Sequence, residues 1–196
     1  LAYYNLAWSY VNQQPPDYAK ARELFETALK INPSYKEAFY GLGMVYGFQN
    51  QYEIGTLYLD KAVSLDATYL TAWKWRGIMR VEQANYDKAL EDFTKAIELS
   101  PSEPELYVRR GRVYEKKSEI QSAVTDLRFA AQLAPKDKKT WFYLGDVFVK
   151  VNELDQALTY YKNALDIDPK YADVYAQIAQ VWMKKGDAAK AREAFD

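Results

Sequence analysis

One interval governs this chain. Gly43, Gly77, Gly111 and Gly145 stand 34 residues apart, and so do Ala28, Ala62, Ala96, Ala130 and Ala164. Phe39, Trp73, Tyr107, Trp141 and Tyr175 form a third series, and Ala21, Gly55, Ala89, Ala123, Ala157 and Ala191 a fourth. Pro33, Pro101, Pro135 and Pro169 form a fifth, with Ala67 where one proline is missing. A fixed interval of this length means a tandem array, each unit one supersecondary element that cannot bury its apolar face alone.

Within each interval the pattern is helical. Trp141, Leu144, Gly145 and Phe148 recur at i, i+3, i+4 and i+7, the stripe of one helix face. After a polar break at Asn152-Glu153 a second stripe follows, Leu154, Ala157, Leu158, Tyr161, Ala164 and Leu165. Asp168-Pro169-Lys170 ends it, because proline disfavours helix at the residue before it. Each interval is therefore expected to be a helical hairpin, about twelve helices in all. The small Gly145 and Ala157 are expected where two helix axes approach closely, the large Phe148 and Tyr161 between hairpins. Gly55 has Ala21 and Ala89 as equivalents, so Gly55→Ala is expected to be tolerated and stabilising.

These residues resemble the tetratricopeptide repeat, which carries an aromatic at position 4, Leu then a small residue at 7 and 8, an aromatic at 11, Ala at 20 and 27, and Pro at 32. Trp141, Leu144, Gly145, Phe148, Ala157, Tyr161, Ala164 and Pro169 match it. So do Tyr3, Leu6, Ala7, Tyr10, Ala21, Phe25, Ala28 and Pro33, with two extra residues around Gln14-Pro15-Pro16. Arg76 and Arg110 stand at position 7 and Arg80 at position 11, departures from the pattern. The last unit gives Tyr175, Ile178, Ala179, Trp182, Ala191 and Phe195 and then stops. The resemblance implies an all-α, right-handed α-solenoid of helix-turn-helix hairpins. It is expected as a single array over 1–196, with repeats at 1–35, 36–69, 70–103, 104–137, 138–171 and a truncated 172–196. Both ends fall inside apolar patterns without capping helices, so the chain is expected to be a fragment of a longer protein.

Composition narrows the function. The chain has no Cys and no His, which removes thiolate chemistry, the commonest general base and the commonest metal ligands. Asp166 and Asp168 form a DxD pair, but ahead of Pro169 they read as a polar turn, not a metal site. Glu91-Asp92 reads as solvated charge on an outer helix face. No phosphate-binding glycine motif is present. The expectation is a non-enzymatic chain with no catalytic residue, no metal and no cofactor. With 26 basic and 27 acidic residues and a net charge of −1, binding to nucleic acid by charge is disfavoured. No apolar run is long enough to span a bilayer, so this segment is not expected to insert in a membrane, and the compartment stays open.

What remains is a partner protein or peptide. In the repeat the outward stripe of each first helix lines a concave groove, and here it holds Tyr4 and Trp8, then Tyr40, Met44 and Phe48, then Lys74, Trp75 and Ile78. Farther on it holds Arg109 and Arg112, then Phe142 and Tyr143. Aromatic and arginine side chains are enriched at interface hot spots, and Arg109 and Arg112 could meet an acidic ligand. The carboxylate clamp known in this family is broken: Lys74, Arg109 and Lys139 occupy clamp positions, but Ile78 and Tyr143 occupy two others. The expected function is a scaffold that binds an extended or helical apolar segment in this groove. Self-assembly into a homo-oligomer is the alternative, and a regulatory arm of a larger enzyme is a third.

Overall fold

The computed structural model describes residues 1–194; Phe195, expected to close the last repeat, lies outside the described residues. Among the described residues there are twelve α-helices and no strand. They are α1 (Ala2–Asn12), α2 (Tyr18–Ile31), α3 (Lys36–Phe48), α4 (Tyr52–Leu65), α5 (Leu70–Glu82), α6 (Tyr86–Leu99), α7 (Pro104–Lys116), α8 (Ile120–Leu133), α9 (Lys138–Lys150), α10 (Leu154–Ile167), α11 (Ala172–Lys184) and α12 (Ala188–Glu193). None is long and apolar enough to cross a membrane. They group into two compact units, 1–101 and 102–196.

Local chemistry repeats with the sequence. Asn50, Ala84, Ser118, Asn152 and Gly186 all adopt positive φ, between 55° and 80°. Each sits in the turn between the two helices of a hairpin. The next residue's N–H reaches back five residues, as in Gln51 to Tyr46, Asn85 to Arg80 and Glu153 to Phe148, which closes the first helix. The expected insertion around Gln14-Pro15-Pro16 lies in the α1–α2 connection, residues 13–17, where the corresponding α3–α4 turn needs only 49–51. Between hairpins the aromatic at position 4 has a second task. The indole N–H of Trp73 donates to the Ala67 carbonyl and that of Trp141 to the Pro135 carbonyl, both at 2.9 Å, and the Tyr175 hydroxyl donates to Pro169 at 3.0 Å. A ring with a polar edge thus packs and also pins the incoming turn.

In the first unit, Ala7, Ala21, Phe25, Ala38, Leu42 and Val45 form one core cluster. Met44, Leu59, Ala62, Val63, Ala72 and Met79 form another. In the second unit the core is built around Leu127, Leu144, Val147, Tyr161 and Val174. The small residues do not all serve one purpose. A Cβ on Gly145 would lie 2.2 Å from the Tyr161 ring, so this glycine makes room for that side chain. Gly43 and Gly55 do mark a close axis approach. A Cβ on Gly43 would meet the Gly55 carbonyl oxygen at 3.1 Å, and one on Gly55 would meet the Gly43 oxygen at 3.0 Å and Met79 Sδ at 2.8 Å. Gly55 therefore cannot take a methyl without rearrangement, which corrects the expectation drawn from Ala21 and Ala89.

Candidate aromatic docking surface

In the first unit a row of rings runs along the first helices and the turns before them. Tyr35 lies 5.6 Å from Tyr4, and Tyr4 lies 6.3 Å from Trp8 in an edge-on arrangement. Trp8 lies 6.1 Å from Tyr40, and Tyr40 lies 5.5 Å from Tyr69. These separations suit tilted and edge-to-face ring pairs. Phe25, fully buried, supports both Tyr4 and Trp8 from below at 5.7 and 5.8 Å. Trp75 packs with Trp8 and Tyr40 against the cluster of Met44, Leu59 and Met79. Lys74 and Ile78 are half-buried on the same helix.

Two expected members fall elsewhere. Met44 is only 2% exposed and belongs to the core, because the stripe position it occupies is roofed by α5 and the rings around it. Phe48 is 43% exposed but stacks on Tyr18 at 6.2 Å, toward the α1–α2 connection and away from the row. Conversely, Tyr35 and Tyr69 were not anticipated. Their signal is present in the sequence: Tyr35, Tyr69 and Tyr171 occupy the same register, immediately before a first helix.

The row is rich in donors, and the Lys36 ammonium lies 5.3 Å over its Tyr69 ring. Burial pushes the Tyr40 phenol up to about 12, and burial pushes Tyr69 up as well, so both remain protonated at any physiological pH. The Trp8 indole N–H is buried and faces the Tyr4 phenol rather than the surface. The surface can therefore offer ring faces to apolar groups and phenolic O–H groups to carbonyl oxygens.

The second unit carries Phe142 and Tyr143 at 5.8 Å, with Phe142 also against Tyr161 and Tyr171. Its Arg109 and Arg112 are engaged. The Arg112 guanidinium lies 4.4 Å over the Tyr143 ring, pairs with Glu115 at 2.7 Å and lies 3.6 Å from Asp146. Arg109 donates to Glu105 at 2.9 Å on its own helix. An acidic ligand would have to displace these carboxylates, which weakens the reading of Arg109 and Arg112 as a ready acid-binding pair. Asp168 is likewise occupied: it pairs with Lys138 and accepts from the Lys170 N–H at 2.9 Å.

The charged residue misjudged from sequence is Asp92, which partners Arg76. Asp92 is fully buried, not solvated. Arg76 Nε and Nη2 donate to Asp92 Oδ1 at 3.1 and 2.6 Å, Arg80 pairs with Asp92 at 2.8 Å, and Arg76 Nη1 donates to the half-exposed Asp60 at 2.7 Å. In the second unit Arg110 and Asp126 repeat the pair at 2.7 Å. The signal was an Arg at position 7 followed 16 residues later by Asp, twice in register.

Helical hairpins repeated in tandem and presenting aromatic faces define a repeat-built protein-interaction scaffold. The family models agree: a TPR repeat model matches residues 77–118 and 145–186, and two tetratricopeptide repeat models match residues 4–46 and 36–69. The chain belongs to the tetratricopeptide repeat family. It is similar to YrrB, described as a TPR protein with an unusual peptide-binding site, at 25% identity over 88% of this chain and 89% of that one, with TM-score 0.70. It shares its fold with a tetratricopeptide repeat protein from Parabacteroides merdae at 17% identity, 98% and 76% coverage and TM-score 0.87. It also shares its fold with pilF of Pseudomonas aeruginosa at 19% identity, 98% and 87% coverage and TM-score 0.80. No curated protein matches the chain.

Proposed function

We propose that the ring row of the first unit, with Trp8 and Tyr40 at its centre, docks an extended or helical apolar segment of a partner protein, and that the chain acts by binding rather than by catalysis. The observation that carries this reading is the unbroken succession Tyr35, Tyr4, Trp8, Tyr40, Tyr69. Rigid rings give contact area at little entropic cost. The protonated phenols supply donors for the carbonyls of a bound backbone. The similarity to YrrB, a protein with a peptide-binding site, points the same way.

The test is a partner recovered by cross-linking and measured by calorimetry. Trp8→Ala and Tyr40→Ala are expected to weaken binding about thirty-fold or more, the signature of hot-spot residues, with helical circular dichroism retained. Cross-links that map instead to α2, α4 and α6 would overturn the proposal.

A further inference from the structure

The exposed face of α4 is unlike that of every other second helix. Its centre is Leu57, 65% exposed, with Ile54 one turn before it at 41%. At the register of Leu57 the other repeats carry Glu23, Glu91, Thr125, Thr159 and Glu193. At the register of Ile54 they carry Lys20, Lys88, Ser122, Gln156 and Lys190. Among the described second helices α4 alone is apolar at these two registers, and a stripe that departs from its own repeat in this way marks an interaction surface.

The charges beside it indicate what it binds. On α2 and α6 the surface ions satisfy one another along the helix: Lys20 with Glu23 at 2.7 Å and Lys95 with Glu98 at 2.9 Å. On α4 the exposed Glu53 and Lys61 stand four residues before and four after Leu57, one at each end of the apolar patch and too far apart to pair with each other along the helix. A second copy of α4, laid antiparallel across a two-fold axis through Leu57, brings Glu53 opposite Lys61 of the partner copy and Lys61 opposite Glu53. Leucine meets leucine at the centre. The pattern is self-complementary, which is what a two-fold isologous contact requires.

We infer that the chain self-associates through α4, Leu57 against its symmetry mate and Glu53 against Lys61. The contact uses the second helices and leaves the ring row free, so it is independent of the docking surface proposed above.

Sedimentation equilibrium of the purified 196-residue chain over a wide concentration range tests this. The mass is expected to rise from monomer to dimer. Leu57→Glu should raise the dimer dissociation constant about thirty-fold or more, with unchanged helicity. Glu53→Lys alone or Lys61→Glu alone should weaken the dimer by setting like charges face to face, and the double exchange should restore it. A mass that stays monomeric at every concentration overturns the inference and leaves the face to a different partner. So does a dimer indifferent to Leu57→Glu, or a double exchange that fails to rescue. A loss of partner binding at Trp8 with the dimer intact would separate this proposal from the other.

Discussion

Four turn residues other than glycine hold the left-handed conformation: Asn50, Ala84, Ser118 and Asn152. Asparagine tolerates that region, and alanine does not, since its Cβ crowds the following carbonyl at a cost of roughly 1–2 kcal/mol. Part of this is offset by the greater freedom of glycine in the unfolded chain. Ala84→Gly is therefore expected to stabilise the protein by about 0.5–1 kcal/mol, read as a higher urea midpoint with unchanged slope. Gly55 predicts the reverse. Its Cβ would be pressed between Met79 Sδ and the Gly43 carbonyl, and only the methionine can swing aside. Gly55→Ala should cost about 1–3 kcal/mol as overpacking. An unchanged or raised midpoint would show that α3 and α4 can separate freely.

At the scale of the element, repeats differ in what they place at one pair of registers. Repeat one carries the exposed Leu6 and the buried Leu24, repeat five the buried Leu144 and the half-buried Tyr160, and repeats three and four pair Arg76 with Asp92 and Arg110 with Asp126. A buried pair contributes little over a hydrophobic pair, but breaking it strands a charge. Arg76→Leu should cost about 3–5 kcal/mol, although Arg80 still faces Asp92. Arg76→Leu with Asp92→Leu, which copies repeat one, should cost less than Arg76→Leu alone. Equilibrium unfolding of both variants checks this, and simple additivity would argue that the pair is not coupled. The same position shows what the sequence makes legible. The helices, their turns and the two-residue insertion follow from the period, because helix-hairpin spacing is local. The ring row was half legible: Tyr4, Trp8 and Tyr40 follow from the outward stripe. Met44 and Asp92 were misplaced because burial there is decided by the neighbouring repeat, which a stripe drawn on one helix does not contain.

Across the whole molecule, one half-exposed ion pair recurs once in each unit. Lys36 pairs with Asp66 and Lys138 with Asp168, each joining the start of a first helix to the turn that follows the second helix of the same repeat. The Lys36 ammonium and the Thr68 hydroxyl and N–H hold the Asp66 carboxyl down at about 2, and Lys138 and the Lys170 N–H lower Asp168. A carboxyl whose folded pKa lies below its unfolded value of about 3.9 stabilises above that value, and the contribution is lost as pH falls through the folded pKa. Asp92 and Asp146 run the other way, since burial pushes them up, so their contribution shrinks as pH rises through their folded pKa. An acid titration of the parent alone therefore mixes two signs. The difference between the parent and Asp66→Asn isolates one of them, because asparagine can still accept from Thr68 but cannot pair with Lys36. That difference should be constant above about pH 5 and vanish between about pH 4 and 2. It should also shrink in high salt, as expected of a half-exposed pair. A difference that persists unchanged at pH 2, or that grows on acidification, would mean that Asp66 contributes through its turn geometry and not through its charge.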